Sequence, residues 1–476
     1  MSSPAPPPES IPPRVVPRSE HRVSRSRIQK EALKVLYRLQ ESGYLAYMVG
    51  GSVRDLLLDR EPKDFDIATN AKPQEIRRIF RNARIIGRRF RLVHIIFGEI
   101  VVEVSTFRCE PGLQPPPRRA EPAAAAGTRR GPAPSPLAPG VPLASVAPVA
   151  AATESAAELL IRSDNNFGTA VEDAFRRDFT VNALFYNIAD FSILDYVGGI
   201  EDLKSCILRT IGDPQVRFRE DPVRMMRACE LAGRLDFTIE ASSQTAIHEL
   251  RQELAKASPA RVSEELVALL RCGSAGKAMQ WMLDLGLLEV LLPEAYAMVS
   301  ASERGLGDFG RILPTLDRKV SAGRVVSDGG LLAALLLPSV LLRRFDVEAV
   351  GRKALRREQL SALVDEVLEP FLKRFALSRV RALQTTDALK GFLRLCEPHR
   401  TAGERHLAAG RAWFPDALWL FELLAEATAE GFEELAQWQA SARRRPVLAS
   451  HEATAPPLGG ERAAPPRKRT RRRKRR

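Results

Sequence analysis

Cysteine is scarce and scattered in this chain of 476 residues: five thiols, at 109, 206, 229, 272 and 396, with no Cys-x-x-Cys pair. An odd count without paired spacing speaks against a disulfide framework or a zinc site, and fits a reducing cytoplasm. Long apolar runs are also lacking. Leu331 to Leu337 is short and stops at Pro338, below the length that crosses a bilayer, so no membrane partner is expected. The first twenty-five residues are rich in proline and have no apolar core, so no secretory signal is expected. What remains is room for two or three soluble domains with a sizeable core.

Positive charge is abundant. The net charge is +14, and nine of the last ten residues, Arg467 to Arg476, are Arg or Lys, which leaves about +5 for the rest. A mildly basic body with a strongly basic tail favours a polyanionic partner.

The densest chemistry lies in residues 47–69, which read strand, glycine turn, helix, loop, strand. Ala46 to Val49 is a short apolar run ending at Gly50-Gly51. Ser52 is expected to cap a helix through Leu58, with Arg54 and Asp55 in its first turn. Two glycines let backbone approach a ligand, and helix N-terminal N–H groups suit an anion. Asp64 and Asp66 flank Phe65, and residues two apart on an extended strand share a face. Paired carboxylates repel unless a cation joins them, and an all-oxygen pair suits Mg²⁺. A lone Asp-x-Asp reads first as two solvated aspartates on a surface strand. The glycine turn just upstream shifts the reading to metal-assisted nucleotidyl transfer.

Gly-Gly-x-x-Arg-Asp followed by Lys-Asp-Phe-Asp resembles the N-terminal signature of the class II nucleotidyltransferases. That group holds the bacterial poly(A) polymerases and the tRNA CCA-adding enzymes, within the polymerase β superfamily. The resemblance implies a triphosphate cradled by Gly50, Gly51, Ser52 and Arg54, with Asp64 and Asp66 holding two Mg²⁺ and ATP as substrate.

Further along, Gln29 to Gln40 and Pro73 to Phe80 read as helices, and Leu92–Phe97 with Ile100–Phe107 as a hairpin turning at Gly98-Glu99. Glu103 shares a face with Val101 and Ser105; a carboxylate inside Ile-Val-Val-Glu-Val is either a third acidic ligand or an edge residue facing water. Ile85 to Ile95 resembles the segment that separates bacterial poly(A) polymerases from CCA-adding relatives, and Arg88, Arg89 and Arg91 within it are candidate phosphate contacts. Residues 110–157 are Pro- and Ala-rich without periodicity, and are expected to be a disordered insertion dispensable for chemistry.

Residues 172–183 place two arginines, an aspartate and an asparagine on what reads as one short helical segment, a set suited to a triphosphate and ribose hydroxyls. Arg-Arg-Asp-Phe-Thr is similar to a family motif, which implies that Arg177, Asp178 and Asn182 recognise ribose and phosphate. Whether Glu103 or Asp178 completes the acidic site stays open. Glu220-Asp221-Pro222 opens a helix for which Asp221 is the expected N-cap, paired with Arg224. The family pattern Glu-Asp-x-x-Arg-x-x-Arg implies that Asp221 and Arg224 read the adenine edge while Glu220 and Arg227 hold them. From residue 236 the pattern is helical, with helices expected over Ala260–Leu270 and Met279–Leu288.

The chain is thus expected to be α+β. Residues 1–23 are a disordered arm, 24–206 a polymerase β-type nucleotidyltransferase head, 207–300 a helical neck, 301–444 an RNA-binding helical body, and 445–476 a disordered linker and basic tail. Arg471, Arg472 and Arg473 in that tail are candidate RNA contacts. The expected enzyme is a cytoplasmic polynucleotide adenylyltransferase that extends RNA 3′ ends, of mRNA and small RNAs, without a template. The resemblance also admits contact with RNA-degradation machinery; no DNA partner is expected. The rival readings are a tRNA CCA-adding enzyme using CTP and ATP, and a catalytically silent RNA-binding protein with the same fold.

Overall fold

Apolar runs in the first half of the chain assemble one mixed sheet, and the second half folds into packed helices. The computed structural model describes residues 12–87, 91–109, 166–301, 303–351, 355–397 and 401–443. The strands are β1 (Arg14–Val16), β2 (Ala46–Val49), β3 (Asp66–Thr69), β4 (Ala83–Ile86), β5 (Leu92–Phe97), β6 (Ile100–Thr106), β7 (Leu184–Asn187) and β8 (Ile193–Asp195). They lie in the order β1-β8-β7-β2-β3-β6-β5-β4. As described, β3 and β6 are its parallel pair, and the other neighbours are antiparallel.

β2 reads Ala-Tyr-Met-Val and is buried throughout, as a central strand covered on both faces requires. One face packs on α1 (Lys30–Glu41), whose Ala32, Val35, Leu36 and Leu39 form an apolar stripe at helical spacing. The other face carries a smaller cluster that includes Tyr47, Val49, Ala68, Phe107 and Phe185. The Tyr47 ring lies 6.0 Å from the rings of both phenylalanines, stacked on one and edge-on to the other. Period-2 alternation then puts Asp66 and Glu103 on this second face.

Four short helices join the strands: α2 (Gly51–Leu57), α3 (Pro73–Ile79), α4 (Ala170–Phe175) and α5 (Gly199–Lys204). The neck begins with α6 (Pro214–Glu220), α7 (Val223–Leu235), α8 (Ala241–Leu250), α9 (Pro259–Leu270), α10 (Ala275–Asp284) and α11 (Leu287–Leu291). Gly233 lets α7 and α10 touch: a Cβ there would lie 2.6 Å from the Ala278 nitrogen. The body is α12 (Pro293–Ala301), α13 (Glu303–Ser321), α14 (Asp328–Gly351), α15 (Arg357–Phe375), α16 (Arg379–Leu395), α17 (Ala402–Ala408), α18 (Phe414–Thr428) and α19 (Phe432–Arg443). Leu331 to Leu337 is buried within α14, a core segment rather than a membrane span. Among the described residues no helix is long and apolar enough to cross a membrane.

Several expectations are corrected. Residues 12–23 are not a disordered arm: β1 pairs Arg14 with Asp195 and Val16 with Ile193, and Val16 and Val23 are buried. Residues 1–11, the 110–157 insertion and the 445–476 tail lie outside the described residues. α2 is capped by Gly50 at φ 73°, not by Ser52, whose hydroxyl instead donates to the Val49 carbonyl at 2.9 Å. Residues 172–183 are not one helical segment but the end of α4, a turn, and a 3-10 turn at Thr180–Asn182. Met279–Leu288 is split between α10 and α11 at Gly286, whose φ of 72° a helix cannot contain. Asp221 closes α6, and Pro222 takes the N-cap position of α7. The helical reading from 236 misses a two-residue parallel pair, β9 (Ile207–Leu208) with β10 (Thr238–Ile239).

Candidate active site

A cavity of about 760 Å³ opens between head and neck, within the range of small-molecule sites. Gly50, Asp64 and Asp66 line its head wall, and Asp221, Arg224 and Arg261 line its neck wall. The head wall follows from local chain geometry. β2 delivers Gly50 at its end, and antiparallel β3 starts beside it, with Val49 opposite Asp66. A Cβ on Gly50 would lie 3.3 Å from Arg177 Nη1 and 3.9 Å from Asp66 Oδ2, so the bare glycine lets those two groups close over the turn.

Asp66 carries the clearest electrostatic signature. Burial, reinforced by the negative charges of Glu103 and Asp64 and opposed by Arg177, pushes its carboxyl up to about 6. The register explains the Glu103 effect. β3 and β6 run parallel with Ile67 beside Val104, so one residue earlier Asp66 stands beside Glu103. Asp178 faces a different way. Its Oδ1 accepts from the Phe179 N–H at 2.8 Å and from Asn182 Nδ2 at 3.0 Å, and its Oδ2 meets Arg227 Nη2 at 2.8 Å. Burial would raise the Asp178 pKa, but Arg227, Asn182 and Arg224 together hold it below the usual range. Of the two candidates, Glu103 neighbours Asp66, while Asp178 is already neutralised by the neck.

Among the described residues no three metal-ligating side chains converge as a ready-made cage. The residues nevertheless fit a hard divalent cation. The donors are all oxygen, and burial and the charges of Glu103 and Asp64 act together on Asp66, a grouping of carboxylates that a cation would relieve.

Arginines crowd the floor between the walls. Arg177 binds Asp173 Oδ2 through Nη2 at 2.9 Å and lies over the Phe185 ring at 5.2 Å. Arg176 is depressed to about 9 by burial and by the charges of Arg108, Arg224, Arg217 and Arg177. Such like-charge crowding is relieved by a polyanion. Arg54 lines the cavity but is 2% exposed, with its Nε bound to Asp55 Oδ1 at 2.8 Å and its Nη1 bound to Asn182. It braces the turn from beneath.

On the neck wall, Arg261 binds both oxygens of Asp221, at 2.9 and 2.8 Å. Asp221 was expected to pair with Arg224, and does not. Arg224 Nη1 is buried without a hydrogen-bond partner, 3.9 Å from Glu220. Burial and the Arg217 charge bring the Arg224 pKa down to about 10, against the pull of Asp178, Asp221 and Glu220. Glu220 chiefly holds Arg217, at 2.8 Å, and Arg227 holds Asp178 rather than Arg224.

Arg261 and Glu265 were missed. Their signal was present as a stripe at helical spacing on α9, continued by Ala268 and, just past the helix end, by Cys272, all lining the cavity. Arg91 is exposed at the start of β5, outside the cavity lining. Arg88, Arg89, Arg471, Arg472 and Arg473 lie outside the described residues.

Residues 46–209 match the family model described as the Poly A polymerase head domain, and 236–298 match the one described as the probable RNA and SrmB-binding site of polymerase A. The chain is 34% identical to Poly(A) polymerase I of Salmonella typhi over 476 residues, 96% of this chain and 93% of that protein. It is 34% identical to a CCA-adding enzyme of Lactobacillus helveticus over 259 residues, 54% of each. The solved CCA-adding enzyme of Bacillus stearothermophilus in complex with CTP superposes with a TM-score of 0.58 at 23% identity, covering 87% of this chain and 81% of that one, a likeness of fold.

Proposed function

The chain belongs to the poly(A) polymerase family and is a nucleotidyltransferase, and we propose that the head–neck cavity transfers adenylate from ATP to RNA 3′ ends without a template, releasing pyrophosphate. The observation that carries this reading is one cavity with Asp64 and Asp66 on its head wall and, on its neck wall, Arg224, whose Nη1 has no hydrogen-bond partner. Asp64 and Asp66, with Glu103 beside them, would hold two Mg²⁺, which when bound ease ionisation of the 3′-hydroxyl and neutralise the triphosphate.

The remaining roles belong to side chains. Gly50 and Gly51 keep the turn bare so that phosphate approaches the backbone, and Ser52 ties that turn to Val49. Arg176 and Arg177 face the triphosphate, whose negative charge relieves the arginine crowding that adds to burial in depressing Arg176. Asn182, held between Arg54 and Asp178, orients the ribose side of the site. Arg224 donates to a ring nitrogen of adenine, and Asp221, fixed by Arg261, accepts from its amine. Arg88, Arg89, Arg91 and the tail arginines 471–473 contact RNA phosphates. Polyadenylation of mRNA and small RNAs in the cytoplasm suits the five free thiols.

The CCA-adding reading shares this head and its metal and base chemistry. The likeness to the Lactobacillus helveticus enzyme stops at about half of each chain, whereas the likeness to Poly(A) polymerase I runs nearly throughout. A silent RNA-binding protein is separated by magnesium-dependent release of pyrophosphate from ATP in the presence of RNA. Release supports the proposal, and binding without release overturns it.

A further inference from the structure

We propose that His94 is a positioning residue of the acidic centre, fixing Glu103 in the orientation in which it acts beside Asp66; this rests on reading Glu103 as a member of that acidic set. Four residues stand in one cross-strand line on the second face of the sheet. Arg84 on β4 pairs with His94 on β5, His94 pairs with Glu103 on β6, and the parallel register sets Glu103 beside Asp66 on β3. Within this line His94 Nε2 lies 3.2 Å from Glu103 Oε2. Against a carboxylate oxygen the ring nitrogen is the donor.

Glu103 needs such a partner. Its side chain is 41% exposed, and among the described residues its other oxygen has no hydrogen bond. A free glutamate at a half-open sheet face samples several rotamers, and an acidic ligand that wanders contributes little to a metal site. His94 is well placed to stop that wandering. Val93 and Ile95 on either side are fully buried, which fixes the strand and leaves the ring one short reach to its neighbour. The hydrogen bond ties Oε2 to the β5 side of β6, while β3, with Asp66, lies on the other side of β6.

The pair has little to do with stability. Both side chains are part exposed, and such pairs contribute little to folding. Its consequence is therefore expected in chemistry and metal affinity, not in melting. This makes a positioning role distinguishable from a structural one.

The test compares His94→Leu, His94→Gln and Glu103→Gln in the full chain. It reads kcat and KM for ATP with an oligoribonucleotide, Mn²⁺ binding to the free protein by electron paramagnetic resonance, and melting temperature. His94→Leu is expected to lower kcat and Mn²⁺ affinity on the order of 10- to 100-fold, the usual effect of losing a residue that orients a metal ligand. KM for ATP and the melting temperature should stay unchanged. His94→Gln, which keeps an N–H donor, should restore most of both losses. Wild-type kcat and Mn²⁺ affinity in His94→Leu, with Glu103→Gln impaired, overturns the proposal while leaving Glu103 in the acidic set. Wild-type behaviour of Glu103→Gln removes Glu103 from that set, a different failure.

Discussion

Arg261 on α9 grips Asp221 at the end of α6 through both carboxylate oxygens, at 2.9 and 2.8 Å. Two parallel N–H···O bonds fix the plane of a carboxylate as one bond cannot. Adenine and cytosine both offer an amine donor beside a ring-nitrogen acceptor, so pattern alone does not separate them. Reach does, because the purine edge lies farther from the ribose, and a reader held still measures reach. Arg261→Ala is expected to raise KM for ATP roughly ten-fold, about 1.4 kcal/mol, and to narrow the preference for ATP over CTP. Arg261→Lys, which cannot make the two-pronged contact, should rescue only partly. Unchanged ATP and CTP kinetics in Arg261→Ala would contradict the base-reading assignment of Asp221.

At Asp66 the charges of Glu103 and Asp64 add to burial in raising the pKa. Asp66→Ala or Asp64→Ala should abolish turnover while leaving RNA binding intact, since neither replaces a basic contact. Paired pyrophosphate-release and gel-shift measurements check this. Near-normal turnover in either variant would sink the metal assignment.

Glu265 gives a pH-dependent prediction. Burial, opposed by Arg227 and reinforced by Glu230 and Asp178, pushes its carboxyl up to about 7. An acid whose folded pKa is raised contributes stability that is full below its unfolded pKa, near 4.3, and is lost as pH rises through about 7. Glu265→Gln should therefore melt higher than wild type at pH 8 and show a smaller gain at pH 5. The opposite order of the two gains would contradict the raised pKa.

Gly233 tests the neck packing. Its Cβ would fall 2.6 Å from the backbone nitrogen of Ala278 and 3.0 Å from its Cα, which a flexible side chain cannot relieve. Gly233→Ala is expected to destabilise by about 1–3 kcal/mol, read as a lowered urea midpoint. An unchanged midpoint would contradict the close α7–α10 crossing.

What was legible in the sequence was local. Asp66 and Glu103 could be placed on one sheet face because a strand repeats every two residues, whereas Asp64, expected on the same strand, precedes β3, which begins at Asp66. The β5–β6 hairpin was visible because Gly98 permits the φ of 63° its turn adopts. The Arg261–Asp221 and Arg227–Asp178 pairs were not legible, because each joins elements that tertiary packing alone brings together. Ser52 was misread as a cap because its residue type is favoured there, whereas the positive φ of Gly50 starts the helix earlier. β1 was hidden in a proline-rich stretch, yet proline is compatible with an edge strand, and Arg14–Val16 occupies one edge of the sheet.

The most direct test of the central claim is primer extension by the purified full chain with Mg²⁺ and one nucleotide at a time, on an unstructured oligoribonucleotide beside a tRNA lacking its terminal CCA. Template-independent polyadenylation predicts a long ladder from ATP alone on the oligoribonucleotide. Addition of two C and one A, confined to the tRNA, would contradict it and place the chain with the CCA-adding enzymes.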